Sequence, residues 1–200
     1  MAINDYVDPM DRGSQKLILD LVGNEKTSQG ICRMLSVNWV IDCAQPGASA
    51  PNVIWHEMKA KGPVYFKQIG QQQIGYSEHL NDDGWYQSMV DCVELGSRKA
   101  RHVKSMAPND SATTAPNLTG RITAALAAST TTPHLCLIRF NCTGGGHCIG
   151  AADSGGKIYI FDPNFGVMII DPAKHQTLGA AVQDLFAAYQ ITVANVVALT

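Results

Sequence analysis

The residues of this chain whose types and spacing could do chemistry are a cysteine at a helix start and a histidine and aspartate on two arms of a hairpin. Cys32 falls in the first turn of the apolar run 30–44. Unpartnered backbone N–H groups and the positive end of the helix dipole meet there. That setting lowers a thiol pKa and favours the thiolate, which is the nucleophile. The plain alternative is a buried cysteine acting as a small inert hydrophobe. His147 and Asp162 flank Asp153-Ser154-Gly155-Gly156, a hairpin signal. A two-residue turn centred on Ser154-Gly155 sets them directly opposite one another. A turn centred on Gly155-Gly156 makes them diagonal neighbours. Both registers place the two side chains on one face, about 5–8 Å apart before the side chains reach. A carboxylate holding one imidazole nitrogen while the other serves a thiol is the arrangement for nucleophilic acyl transfer. Gly144-Gly145-Gly146 before the histidine permits close backbone approach. The plain alternative is a strand-end histidine and a turn aspartate before Pro163-Asn164.

The elements that must position these residues follow from periodicity. Residues 15–22 read as a helix stopped by Gly23-Asn24. The run 30–44 is apolar nearly all round, which predicts a buried helix, with Thr27-Ser28-Gln29 as start signals and Pro46-Gly47 as the stop. Residues 53–61, 85–95, 99–106 and 119–128 read as helices. Residues 64–76, rich in glutamine and glycine, give no clear assignment, and 107–117, with Pro108 and Pro116, reads as a loop. After Pro133 the character changes. Residues 134–141, 147–153, 157–162, 167–170 and 191–199 read as strands, and 173–189 as an amphipathic helix with Leu178, Val182, Leu185 and Phe186 on one face. Helices first and then an antiparallel sheet is the α+β pattern. One domain is expected over 15–200, behind a flexible, frayed N-terminal segment, 1–14.

Composition excludes several classes. Of the 200 residues 46% are hydrophobic and 16% charged, so the chain can bury a core. The formal net charge of -2 argues against a global nucleic-acid binder. No apolar run reaches the roughly 18 residues of a membrane span. The first ten residues have neither a basic start nor an apolar run, so no secretory signal peptide is expected. Cys32, Cys43, Cys92, Cys136, Cys142 and Cys148 show no Cys-x-x-Cys pair. Free thiols in a reducing compartment are therefore the expectation.

Three stretches resemble the YopT/AvrPphB peptidases, papain-like proteases that pathogens deliver into host cells. Gly30-Ile31-Cys32-Arg33-Met34-Leu35-Ser36-Val37-Asn38-Trp39-Val40 is similar to the family's cysteine motif. Gly146-His147-Cys148-Ile149-Gly150 is similar to its histidine strand, and Phe161-Asp162-Pro163-Asn164-Phe165-Gly166 to its aspartate motif. The likeness spans about 15–200. It implies a papain-like α+β fold with the cysteine helix packed on an antiparallel sheet. It also implies Cys32 as nucleophile, His147 as base and acid, and Asp162 as orienter. Geometry makes the Cys32 N–H one oxyanion donor. The second would come from Asn24, Thr27, Ser28 or Gln29, and spacing does not choose among them.

The implied activity is cysteine endopeptidase action on a specific host or target-cell protein, with no cofactor and no metal. Such a protein would be secreted without a cleavable signal and act in the host cytoplasm. An inhibitory or chaperone partner stays open. Two alternatives also stay open: a glutamine deamidase or transglutaminase using the same triad, and an inactive papain-like binding module. Cys136, Cys142, His147 and Cys148 do not have zinc-ligand spacings, and alternation points His147 and Cys148 to opposite faces. The basic stretch Arg98, Lys99, Arg101, His102 and Lys104 and the acidic Glu78, Asp82, Asp83, Asp91 and Glu94 read as solvated helix faces. Their sharper reading is docking of a protein or an anionic membrane surface. Trp39, Trp55 and Trp85 read as core, and His56, His79, His102, His134 and His175 have no assigned role.

Overall fold

The computed structural model describes residues 6–7, 31–78, 112–143 and 145–200. The expected helices at 15–22, 85–95 and 99–106, the oxyanion candidates Asn24, Thr27, Ser28 and Gln29, Cys92, Trp85 and the basic stretch lie outside the described residues. The described elements run α1 (Cys32–Cys43), α2 (Pro51–Ala60), α3 (Gly62–Glu78), α4 (Ala115–Ala128), β1 (His134–Cys142), β2 (Gly145–Ser154), β3 (Lys157–Asp162), β4 (Gly166–Ile170), α5 (Leu178–Tyr189) and β5 (Val193–Ala198). The strands form an antiparallel sheet in the order β4-β3-β2-β1-β5. Each strand alternates sides, so its apolar residues divide between two cores. Leu135, Leu137, Cys148, Ala152 and Phe161 pack against α1, α2 and α3. Ile138, Phe140, Ile149, Ile160 and Met168 pack against α4 and α5 on the opposite face. Burial on both faces explains why the strands read as nearly continuous apolar runs.

Several boundaries differ from expectation. α1 starts at Cys32 with Ile31 as its N-cap and no side-chain cap. Ile31 is fully buried, and the expected start signals Thr27-Ser28-Gln29 lie outside the described residues. The unassigned run 64–76 is helical: Phe66 and Ile69 are buried in the α1-side core, and that burial, with the good helix propensity of its glutamines, outweighs the glycines. The expected loop 107–117 ends earlier, because α4 already begins at Ala115. Thr114 caps it, accepting from the Asn117 N–H at 3.4 Å, and Pro116 sits in the first turn, where its missing N–H is not needed. The helix expected from 173 starts at Leu178. Pro172–Lys174 forms a single 3₁₀ turn, His175 adopts φ 57°, and Thr177 then caps α5 through the Ala180 N–H at 3.2 Å.

The β2–β3 turn takes the second of the two registers considered. Ser154 pairs with Lys157, and Gly155 and Gly156 have φ 60° and 74°. Positive φ at both central residues is the type I′ turn that matches strand twist. At the sheet edge, two residues of the expected N-terminal segment are described. Tyr6 and Val7 are buried; Val7 bridges Met168, and the Tyr6 carbonyl accepts from the Ile169 N–H at 3.1 Å.

Candidate active site

Local structure brings the three candidate residues to one end of the sheet. Cys32 is the first residue of α1, His147 lies near the start of β2, and Asp162 ends β3. α1 can lie close on β2 because of Gly150. A Cβ there would come within 2.8 Å of Trp39 Cε3 and 2.9 Å of Val40 Cγ2. The Ser36 hydroxyl, buried in the same contact, donates to the Cys148 carbonyl at 2.9 Å. Trp39 stacks on Phe161 with ring centroids 5.3 Å apart, and Trp55 meets Phe161 from α2 at 4.8 Å. Phe161 immediately precedes Asp162, so the same aromatic cluster that seats α1 also seats the end of β3.

His147 and Asp162 are diagonal neighbours in the observed register. His147 Nε2 lies 3.0 Å from Asp162 Oδ1. Both are buried, His147 at 7% exposure and Asp162 at 0%. Asp162 also performs the turn role considered for it: Oδ1 accepts from the Asn164 N–H at 2.8 Å, and the Asp162 carbonyl accepts from the Phe165 N–H at 3.0 Å. One carboxylate thus bonds both the imidazole and the turn. Nε2 is engaged by Asp162, which leaves Nδ1 as the ring nitrogen for the thiol, and the thiol and imidazole interact electrostatically.

Electrostatics separate Cys32 from Cys43 and Cys136. Burial pushes the Cys43 and Cys136 thiols up, as for ordinary core cysteines. Burial would raise Cys32 too. The hydrogen bond and positive charge of His147, together with the Cys148 backbone N–H, outweigh it and hold Cys32 below the usual thiol value. Burial would lower His147. The charge and hydrogen bond of Asp162, followed by Cys32, outweigh that and push the imidazolium up to about 10. The two shifts describe one event, transfer of a proton from sulfur to imidazole. Cys32, Cys43, Cys136, Cys142 and Cys148 are all free thiols.

Four supports had no signal in periodicity. Gln73 of α3 accepts from the Met34 N–H at 3.2 Å, satisfying a first-turn donor of the cysteine helix. Asn38 donates to the Met34 carbonyl at 2.7 Å. The Cys148 main chain faces the thiol on one side and Ser36 on the other. Tyr189, the last residue of α5, reaches Asp162 and His147. Apart from the Asn38 bond within α1, each joins segments far apart in the chain, so only the fold exposes it.

An α+β fold with a cysteine helix seated on an antiparallel sheet is the papain-like cysteine-protease fold. The chain belongs to the YopT/AvrPphB peptidase family: the family model described as Yersinia/Haemophilus virulence surface antigen matches residues 19–194. The crystal structure of the Pseudomonas avirulence protein AvrPphB is similar, with a TM-score of 0.57 at 16% identity over 88% of this chain and 95% of that one. PatoxP, a cysteine protease-like domain of the Photorhabdus asymbiotica toxin PaTox, aligns with a TM-score of 0.48 at 16% identity, over 98% of this chain and 55% of that one. No curated protein matches the chain significantly. No helix among the described residues is long and apolar enough to cross a membrane.

Proposed function

We propose that this protein is a cysteine endopeptidase of the effector type, acting through Cys32, His147 and Asp162 on a specific protein of a host or target cell. The observation that carries this reading is the buried His147–Asp162 pair interacting with the half-buried Cys32, with the thiol held below and the imidazolium above their ordinary values. The Cys32 thiolate attacks the scissile carbonyl. The Cys32 N–H, at the helix start, donates to the oxyanion, and a second donor comes from Asn24, Thr27, Ser28 or Gln29. His147 passes its proton to the leaving amine as the C–N bond breaks and the thioester forms. It then takes a proton from the water that hydrolyses the thioester, and Asp162 stabilises the imidazolium in both steps. Family membership supports secretion and action inside another cell.

The test is proteomics of protein N-termini in a target-cell lysate treated with wild type or Cys32→Ala. New N-termini that depend on Cys32 support the proposal. A target whose chain stays intact but gains about one dalton at a glutamine would mean deamidation by the same residues. No change in any target, with Cys32 reacting at the rate of an ordinary thiol, would leave a binding module.

A further inference from the structure

The Asp162 carboxylate has no exposed surface, and the imidazole and the Asn164 N–H both go to one of its oxygens, Oδ1. The Tyr189 hydroxyl lies 2.9 Å from Oδ2 and 3.1 Å from Oδ1. It is also 3.3 Å from His147 Nε2. Asn164 Nδ2 donates to the same hydroxyl at 2.8 Å. A hydroxyl has one hydrogen. With Asn164 donating to it and an anion beside it, that hydrogen goes to Asp162. Burial and the negative charge of Asp162 keep the phenol protonated well beyond its usual range, so it remains a donor at any working pH. The ring adds a second contact. It stacks on the imidazole with centroids 4.9 Å apart and planes 26° apart, and Phe140 closes the edge of both rings at 5.3 Å and 5.1 Å.

We propose that Tyr189 is a positioning residue of the site, its hydroxyl locking the Asp162 carboxylate and its ring holding the His147 imidazole in plane and away from water. This rests on the peptidase reading of Cys32, His147 and Asp162. Two side chains from α5 and the β3–β4 turn, Tyr189 and Asn164, thereby tie the far face of the sheet to a thiol on the near face. The O–H dipole points its positive end at Asp162 and offsets part of its charge. Without it, Asp162 acts more strongly on both neighbours. It would stabilise the imidazolium further and oppose the thiolate further, so both titrations move upward.

The test uses the full chain with Tyr189→Phe, which keeps the stack and removes the hydroxyl, and Tyr189→Leu, which removes both. Two profiles are recorded against pH: the rate of Cys32 alkylation by iodoacetamide, read by peptide mass spectrometry, and the His147 ring resonance by NMR. Circular dichroism melting monitors the fold. For Tyr189→Phe, the acid limb of alkylation and the imidazolium titration should both rise by roughly half a pH unit. Tyr189→Leu should in addition lower the plateau alkylation rate several-fold, because the ring no longer holds the imidazole. Profiles of Tyr189→Phe that overlay wild type overturn the inference, and they do so equally if only its melting temperature falls, since that is a packing role. If Cys32 of the wild type reacts no faster at neutral pH than the other thiols, the peptidase reading fails and takes this one with it.

Discussion

At the scale of single residues, Asp162 is the sharpest probe of the site. Its Oδ1 accepts from two donors and its Oδ2 from Tyr189. In Asp162→Asn the amide oxygen can keep the first position and the NH₂ can face the Tyr189 oxygen, so the fold should persist. The negative charge is lost. His147, pushed up to about 10 chiefly against the pull of burial by that charge, should titrate much lower. Sign and window follow directly. Wild-type turnover should rise through an acid limb below the ordinary thiol value of about 8.5 and fall only above the ordinary imidazole value of about 6.5. In Asp162→Asn the basic limb should move down, opposite to the shift expected for Tyr189→Phe. Turnover should fall by about tenfold or more, short of the roughly 10⁴-fold seen for the equivalent change in a serine triad, because asparagine still orients the ring through its oxygen. Cys32→Ala and His147→Ala should lose more. The pH profile of target cleavage by the three variants checks this, and an unchanged basic limb in Asp162→Asn with a much lower melting temperature would assign Asp162 to the turn alone.

At the scale of elements, the contact between α1 and β2 sets the distance from thiol to imidazole. Gly150 is its tightest point, with the rigid Trp39 indole and the Val40 methyl at sub-contact distance from any added Cβ. Trp39 cannot swing aside, since its Nε1–H donates to the Pro51 carbonyl at 3.0 Å and its ring stacks on Phe161. Gly150→Ala should therefore push α1 off the strand. The expected cost is about 1–3 kcal/mol, seen as a lower denaturant midpoint with an unchanged slope. The same displacement should slow alkylation of Cys32 near neutral pH, because the thiol moves from its base. Loss of stability with an unaltered alkylation rate would show that the helix tilts about its first turn rather than lifting.

At the scale of the whole molecule, both outer strands are covered. Val7 bridges Met168 on β4, and Ala112 exchanges hydrogen bonds of 2.7 Å with Ala194 on β5. Unpaired sheet edges invite association. Tyr6 and Val7 are 4% and 5% exposed, so they act as part of the core. Removing residues 1–10 should cost about 2 kcal/mol or more through lost apolar burial, lowering Tm by several degrees. It should also promote self-association by freeing the β4 edge, measurable by light scattering. A shortened chain that melts like wild type and stays at the same mass would restore the picture of a loose N-terminal segment.

Much of this was legible in the chain itself. The apolar runs of β1 to β5, the Gly-Gly turn and the all-apolar cysteine helix each follow from local pattern, because strand enrichment, turn residues and helical spacing are properties of single elements. The Cys32, His147 and Asp162 candidates were legible because a helix start and a short hairpin constrain them locally. Other features were decided by tertiary structure. The Gly155-Gly156 register was chosen over its neighbour by two residues adopting positive φ together. α3 is helical because Phe66 and Ile69 find a core, which outweighs its interspersed glycines. α1 begins at Cys32, with the fully buried Ile31 as its N-cap. Tyr189, Asn164, Gln73 and Ser36 reach the site from four separate segments, and a hydrogen bond between residues far apart in sequence leaves no periodic trace. The sequence determined which elements could form and which residues could react. Packing of α1 and α5 on opposite faces of one sheet determined how the thiol, imidazole and carboxylate meet, since that relation depends on contacts no single element contains.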